Sequence, residues 1–344
     1  VVGDETVPAP EVLDTIGRLV ERSMVVVEPG RSTRYRMLET LRQYALERLT
    51  AVGEVEELSH RHAAYFRAVA EDAEVGLRGT DQRETVRRLR DEQPNIRAAL
   101  AWLGRPEAGP ADLDSALVMA GSLGMFWHLG RHLEGREVLA RLVHRDGGSP
   151  AARARALQAV SLVERPRACL VHPSPLCAET AEESLALFDE AGDAWHAALS
   201  KVLLAVEGVT GVERERSEAL LAEAEDRFVR DGDAWGPAVI GFVRMETAMK
   251  AGDVDTAVRL GRSTAAAFRQ LDDFWGLSAT LYHLGWGLRQ SGRYEEGARA
   301  LEEAIDVGRA AGLWNTVQWA LADLAVEKVH LGDLELARRL FDEA

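Results

Sequence analysis

Phe228-Val-Arg-Asp-Gly-Asp-Ala-Trp235 and Phe268-Arg-Gln-Leu-Asp-Asp-Phe-Trp275 are two copies of one segment. An earlier copy runs from Phe188 to Trp195, and a looser one ends at Trp314, so the steps between tryptophans are 40, 40 and 39 residues. Glycines 252, 292 and 332 keep the same interval. A self-similar period of about 20–50 residues is typical of a solenoid, whose units stack on their neighbours and present a long curved surface.

The composition predicts a mostly α protein with an acidic repeat region. Of the 344 residues, 47% are hydrophobic, and the abundant Ala, Leu, Arg and Glu all favour helices. The net charge is −15, and residues 106–344 hold 25 basic against 38 acidic residues. Because such an array repels phosphate, we expect no direct contact between the repeats and nucleic acid.

Cysteine usage and hydropathy indicate a cytoplasmic protein that does not cross a membrane. The two cysteines of the chain are too few for a disulfide framework, and no apolar run reaches membrane-spanning length. The chain starts without Met and stops inside an apparent helix, and we therefore expect a fragment of something longer.

The first 105 residues predict two different regions. Residues 11–23 have helical periodicity, residues 24–27 and 34–38 read as two strands around a Pro-Gly turn, and residues 41–49 read as a second helix. This order is that of a partial winged helix over residues 1–50. Residues 51–105 predict a linking helical region, with one apolar stripe that includes Tyr65, Phe66 and Val69.

Residues 106–344 predict an array of helical hairpins. The expected pairs are 111–129 with 131–145, 151–165 with 175–190, 194–208 with 213–230, 234–250 with 253–270, 274–290 with 293–311, and 313–330 with 333–344. The clearest unit, residues 281–304, has small residues at Gly285 and Ala304 and a turn at Gly292. It resembles the tetratricopeptide repeat, whose usual period of about 34 residues is lengthened here to near 40.

Two stretches together resemble one protein family. Residues 34–49 (RYRMLETLRQYALERL), and then residues 60–66 (HRHAAYF) and 92–103 (EQPNIRAALAWL), are similar to the region after the nucleotide-binding domain in actinobacterial STAND or NB-ARC ATPase transcriptional regulators of the SARP and LuxR types. The resemblance implies a winged helix that packs on its own ATPase domain, followed by tetratricopeptide repeats that sense an inducer or partner.

The ATPase itself is not expected within this chain. No Gly-x-x-x-x-Gly-Lys-Ser/Thr motif occurs, and lysine stands only at positions 201, 250 and 328. We therefore expect no cofactor here, and the resemblance implies ATP or ADP in a domain outside these residues. The sequence leaves open whether the arginines between residues 18 and 36 contact nucleic acid instead of the ATPase domain.

The sequence offers one weak metal candidate and no recognisable catalytic frame. Cys169, His172 and Cys177 are soft zinc ligands within nine residues, although an irregular loop between helices explains the same segment and a fourth ligand is not evident. Nucleophile and base residues are scattered without a known motif, so we predict that the chain is not an enzyme.

The concave face carries the predicted binding residues. Counting back from Gly292 places Tyr282, Trp286 and Arg289 there, and counting back from Gly252 places Phe242, Glu246 and Met249 there. Aromatic residues and Arg are frequent anchors of binding surfaces. Packing between repeats is the open alternative for Trp286 and Phe242. For the tryptophan series, we favour packing on the previous repeat over a binding ladder.

The sequence therefore predicts a non-catalytic sensor arm. It would bind a protein, a peptide or a small-molecule inducer in its groove and relay that binding to the ATPase domain. The alternative is a free-standing tetratricopeptide scaffold for protein assembly, and either arrangement could form oligomers.

Overall fold

A computed structural model describes residues 8–28, 33–168, 175–207 and 212–344. These residues form 18 helices and one two-stranded sheet, which confirms the predicted helical solenoid. The helices are α1 Ala9–Glu21, α2 Glu39–Val52, α3 Val55–Gly76, α4 Gln82–Asp91, α5 Gln93–Leu103, α6 Pro110–Ser122, α7 Gly124–His128, α8 His132–Val143, α9 Pro150–Ala168, α10 Pro175–Ala191, α11 Ala194–Glu207, α12 Val212–Arg230, α13 Trp235–Lys250, α14 Val254–Gln270, α15 Phe274–Gln290, α16 Tyr294–Ala311, α17 Trp314–His330 and α18 Leu334–Glu343.

The N-terminal segment, residues 8–52, has the predicted order of helix, hairpin and helix. Strands β1 Val25–Glu28 and β2 Arg34–Met37 pair antiparallel, with Val25 opposite Met37. Within the described part of this segment only Val25 is buried, and α2 buries none of its side chains. The segment therefore has little core of its own, and its winged-helix assignment stays a prediction.

Helices α3 to α5 form the linking region. Phe66 and Val69 of α3 are buried as the apolar stripe predicted, but Tyr65 is exposed. Tyr65 falls outside the buried face because the neighbouring buried positions of α3 are Ala63, Phe66, Val69 and Ala70, which recur at intervals of three or four residues. α5 ends at Leu103, and α6 begins the array at Pro110.

The predicted hairpins are present with bounds close to those expected. The one difference lies in the first hairpin, whose first helix divides into α6 and α7 around Leu123. Glycines flank the division and bring the backbone close to α9. A Cβ atom at Gly121 would lie 2.6 Å from the Cβ of Arg155, and one at Gly124 would lie 2.8 Å from the Cβ of Ala159.

The turn before each first helix explains the copied segment. Gly232 has a φ of +71°, and Asp233 N–H then donates to Phe228 O at 2.9 Å, which ends α12 in a Schellman-like turn. The carboxylate of Asp233 accepts from Gly236 N–H at 3.0 Å and so caps α13. In the next copy, the glycine position holds Asp272, a non-glycine residue with a φ of +50°.

Two of the four tryptophans bind the cap of the following repeat. The indole N–H of Trp195 donates to Asp233 at 2.8 Å, and that of Trp235 donates to Asp273 at 2.8 Å. We call Asp193, Trp195, Asp233, Trp235 and Asp273 the Asp–Trp edge. Trp235 also packs on the previous repeat as predicted, because its ring lies 6.5 Å from that of Trp195, but the bonds to the following repeat were not predicted. The prediction is wrong for Trp314, which is 64% exposed, whereas the preceding Leu313 is buried.

The array curves back on the preceding helices. The backbone N–H of Trp275 donates to Oε1 of Gln82 at 3.3 Å, and the ring centres of His128 and Trp275 lie 5.1 Å apart. Arg90 donates to Ala311 O at 3.2 Å. Because these contacts join residues far apart in sequence, the concave face becomes a partly closed cavity.

Candidate functional site

A cavity of about 210 Å³ lies inside the curve of the array. Its walls come from α7 and α9 on one side and from the first helices of four hairpins, α11, α13, α15 and α17, on the other. The lining is mostly apolar, and six of its side chains carry large aromatic rings: Trp235, Phe242, Trp275, Tyr282, Trp314 and Trp319. A mostly apolar cavity with a few convergent polar groups is the usual form of a small-molecule site.

The lining follows one stripe on each first helix, counted from the repeating tryptophan. On α13 the stripe is Trp235, Val239, Phe242, Val243 and Glu246. On α15 the same spacing gives Trp275, Ala279, Tyr282 and His283. Such positions lie on one helix face because they recur every three or four residues.

Glu246 is the acidic side chain in this lining. The residue is 7% exposed, and its Oε2 atom has no hydrogen-bond partner. Its Oε1 atom lies 3.5 Å from Nε2 of His283. Burial lowers the pKa of His283, although the charge of Glu246 opposes this shift. The neutral imidazole therefore places no positive charge beside Glu246.

The structure places three of the six predicted binding residues in the cavity. They are Phe242, Glu246 and Tyr282. The Phe242 ring lies 6.2 Å from that of Trp275 and 5.4 Å from that of His283. Burial, together with the nearby carboxylate of Asp323, raises the pKa of Tyr282, so its hydroxyl stays a hydrogen-bond donor at neutral pH.

The other three predicted residues lie outside the cavity lining. Trp286 packs against a cluster of buried side chains that includes Met245 and Met249. A Cβ atom at Gly287 would lie 2.5 Å from Cε of Met249, which shows how closely α15 approaches α13 there. Packing between repeats, the alternative that the sequence left open for Trp286 and Phe242, therefore describes Trp286. Phe242 contacts the same cluster and also lines the cavity, and Met249 is itself part of the cluster.

Arg289 is bound to the next hairpin. Its Nη1 atom lies 2.6 Å from Oδ1 of Asp323, and its Nε atom lies 4.0 Å from Oε1 of Glu327. Both carboxylate oxygens of Glu327 are buried without a hydrogen-bond partner, and burial raises the pKa of Glu327 to about 7 despite Arg289. Glu327 lies outside the cavity lining, where its Oε1 would be 3.1 Å from a Cβ atom at Gly297.

Sequence reasoning missed several lining residues, including His128, Trp275, His283 and Trp319. The signal was present, because Trp275 and His283 belong to the stripe that starts at each repeating tryptophan. Counting from the glycine turn reached the correct helix but also selected the face that packs on the neighbouring repeat.

The predicted metal candidate lies partly outside the described residues. Cys169 and His172 lie outside the described residues. Cys177 is buried on α10, with its Sγ atom 3.8 Å from the carbonyl oxygen of Ser161. Within the described ranges, no group of three His, Cys, Asp or Glu side chains could hold a metal ion. The zinc site stays an untested prediction.

A second polar cluster joins the linking region to the array. His196 contacts Glu74 through Nε2 at 2.9 Å and Asp193 through Nδ1 at 2.8 Å. Arg155 lies 3.0 Å from Glu74, and the guanidinium of Arg78 stacks 3.7 Å from the ring centre of Trp195. We call Glu74, Arg78, Arg155, Asp193 and His196 the linking cluster.

Two groups of the linking cluster, Glu74 and His196, have pKa values shifted in opposite directions. Burial alone would raise the pKa of Glu74, but the hydrogen bond and charge of His196 and the charges of Arg155 and Arg78 lower it to about 2. Burial opposes the charge on His196, yet its hydrogen bonds to Asp193 and Glu74 raise the pKa of His196. Since His196 of α11 binds Glu74 of α3 and is held by Asp193 on its other ring nitrogen, the arrangement fastens α3 to α11.

The comparisons with known proteins relate the chain to regulators. No protein-family model matches it. HTH-type transcriptional regulators from Mycobacterium bovis and from the CDC 1551 and H37Rv strains of Mycobacterium tuberculosis are each 32% identical to it over 308 residues. The match covers 87% of this chain and 33% of each relative, so the chain spans about a third of the length of those proteins.

A solved structure supports the fold. It is the crystal structure of a Signal Transduction ATPase with Numerous Domains (STAND) protein with a tetratricopeptide repeat sensor from Pyrococcus horikoshii. The TM-score is 0.52 at 14% sequence identity, over 98% of this chain and 45% of the other. The chain is thus similar to transcriptional regulators and has the helical solenoid fold. Within the ranges that the structure describes, no helix is long and apolar enough to cross a membrane.

Proposed function

We propose that this chain is the non-catalytic sensor and interaction arm of a STAND-type ATPase transcriptional regulator. It binds an inducer or a protein partner in its concave face and relays binding to a nucleotide-binding domain that holds ATP or ADP. The observation that carries this proposal is the cavity, because the array closes around apolar and aromatic side chains and leaves a buried carboxylate oxygen of Glu246 unpartnered. The regulators and the STAND protein that it resembles support the assignment.

The exposed apolar side chains of the N-terminal segment support docking on the ATPase domain. They are Leu13, Val26, Val27, Tyr35, Leu38, Tyr44, Leu46 and Val52. Exposed apolar side chains that form one surface mark an interaction site, and these eight all belong to one short segment. We propose that this segment is a winged helix whose apolar side chains contact the nucleotide-binding domain in the cytoplasm, and that DNA is bound elsewhere in the regulator.

A short path connects the cavity to that segment. Arg34 of β2 binds Glu92 at 2.6 Å and Asp91 O at 2.7 Å, at the junction of α4 and α5. Arg90 of α4 in turn donates to Ala311 O, beside the cavity-lining Gly312 and Leu313. If the array can adopt two curvatures, a ligand that binds one of them more tightly would favour it and would shift this junction.

The test fills the cavity in the full-length regulator. Ala279→Trp places a large side chain in the cavity lining, whereas Ala266→Trp places the same side chain on the exposed face of α14. ATP hydrolysis and DNA affinity are measured for both variants after thermal melting confirms that they fold. We expect Ala279→Trp to change ATP hydrolysis or DNA affinity by severalfold, because the new side chain occupies the cavity and either mimics a bound ligand or excludes it. Ala266→Trp should match the wild type in both measurements.

The same experiment addresses the scaffold alternative. Wild-type behaviour of both folded variants would contradict the sensor assignment. A repeat scaffold would then be the better explanation, with partners on the exposed apolar side chains of the last hairpin: Leu331, Leu334 and Phe341.

A further inference from the structure

We propose that the cavity binds a small amine, with its protonated nitrogen at Glu246 and its apolar or aromatic body among the rings of Phe242, Trp275 and Tyr282. This inference rests on the proposed sensor function and names the chemical class of the inducer.

The charge of the site selects a cation. Glu246 lines the cavity and is 7% exposed, and its Oε2 atom is buried without a hydrogen-bond partner. A buried carboxylate oxygen in this state is unfavourable until a donor reaches it, and a charged donor satisfies it best. An ammonium group supplies both the hydrogen bond and the opposite charge.

The neighbouring charged groups do not supply that charge. Among the described residues that line the cavity, none is Lys or Arg. His283 lies 3.5 Å from the other carboxylate oxygen, and burial keeps its imidazole neutral. Lys250 is exposed at the end of α13, and Arg289 is engaged by Asp323.

The aromatic side chains suit the same ligand. Cations are attracted to the faces of Trp, Tyr and Phe rings. Phe242 lies one turn before Glu246 on α13, and its ring is 6.2 Å from that of Trp275 on α15. The ring of Tyr282 lies 5.1 Å from that of His283, the residue that contacts Glu246. The ring of Tyr282 lies 6.2 Å from that of Trp319, which is partly exposed at the edge of the cavity. Trp314 and Trp319 therefore mark the side from which a ligand enters.

The volume limits the size of the ligand. A buried cavity of about 150 Å³ holds benzene. The cavity of about 210 Å³ therefore accommodates one aromatic ring and a short chain that ends in an amine. Larger molecules would have to extend past Trp314 and Trp319.

Calorimetric titration of the chain with three probes of one shape tests the inference. The probes are 2-phenylethylamine, the neutral 2-phenylethanol and the anionic phenylacetate. We expect the amine to bind about tenfold or more tightly than either of the others. Glu246→Gln should weaken the amine by a similar factor and leave the alcohol unchanged.

Glu327→Gln is the matched control, because Glu327 is also buried with unpartnered oxygens but lies outside the cavity lining. It should leave the affinity for the amine unchanged. Should Glu246→Gln fail to fold, Phe242→Leu provides a second variant and should weaken the amine by removing ring contact while it preserves an apolar side chain.

The outcomes separate this inference from the sensor proposal. Equal binding of the amine and the alcohol, or an unchanged affinity in Glu246→Gln, would overturn the amine assignment and leave the cavity as a sensor site. Failure of all three probes to bind would also overturn the amine assignment, and the cavity-filling experiment would still decide the sensor function by its own readout.

Discussion

The Asp–Trp edge and the cavity are built from the same first helices, yet they treat buried polar groups in opposite ways. At the edge, Asp273 is fully buried and accepts hydrogen bonds from Trp235 and from the backbone of Gly276. In the cavity, Glu246 is nearly as buried but has an oxygen without a partner. A repeating polar residue that is fully bound stabilises the array, whereas an unpartnered one that lines a cavity indicates a ligand.

The largest effect is expected at the edge. Asp273→Ala removes the cap of α15 and leaves the buried indole N–H of Trp235 unsatisfied. We expect a loss of about 2–4 kcal/mol in the free energy of unfolding, measured by urea denaturation. Asp253→Ala is the control, since it removes a cap that accepts from Thr256 at the surface, and should cost about 1 kcal/mol. Equal losses of unfolding free energy in Asp273→Ala and Asp253→Ala would contradict the expected difference between a buried cap and an exposed one.

The linking cluster should give stability a maximum in moderately acidic solution. The pKa of Glu74 is lowered from 4.5 to about 2, so its contribution is present above pH 4.5 and is lost as the pH falls towards 2. The pKa of His196 is raised above 6.5, so its contribution is present below pH 6.5 and is lost as the pH rises through the raised value.

Glu74→Gln tests this pH dependence. Thermal melting between pH 3 and 9 should show a flatter profile than the wild type, with a loss of roughly 2 kcal/mol at pH 6. A variant that keeps the wild-type profile would show that the cluster does not set the pH dependence.

Glu246→Gln should behave unlike the edge substitutions. It removes an unpaired buried carboxylate and preserves its shape, so the free energy of unfolding should stay constant or rise by up to about 1 kcal/mol. Urea denaturation of this variant beside Asp273→Ala measures the contrast directly. A loss as large as that of Asp273→Ala would mean that Glu246 is a structural residue.

The smallest expected effect concerns the turn at Asp272. This residue has a φ of +50°, whereas Gly192, Gly232 and Gly312 stand at the equivalent positions with φ between +71° and +73°. Asp272→Gly should therefore stabilise the array by about 0.5–1 kcal/mol, because glycine adopts this conformation without strain. Gly232→Asp is the converse variant and should lower the melting temperature. Unchanged stability in both Asp272→Gly and Gly232→Asp would show that the turn tolerates either residue.

The local order of the fold was predictable from the sequence, but its curvature was not. The 40-residue interval predicted the hairpins because the turn of Gly232 and the cap of Asp233 are local features. The contact between His128 and Trp275 depends on small rotations that accumulate over several repeats, and no local pattern encodes their sum.

The candidate site was predictable in part for the same reason. Phe242, Glu246 and Tyr282 line the cavity as expected, because helical spacing places them on the inner face. Trp286 and Met249 lie on the side of that face where one repeat packs on the next, a distinction that depends on the angle between helices. The tryptophan register, which gives the lining stripe, was evident only once the array was known to close.

A crystal structure of the chain with 2-phenylethylamine tests the central claim most directly. We predict the amine nitrogen within hydrogen-bond distance of Oε2 of Glu246, with the ring between Phe242 and Tyr282. An empty cavity at saturating amine, or an amine bound with its nitrogen away from Glu246, would contradict the account.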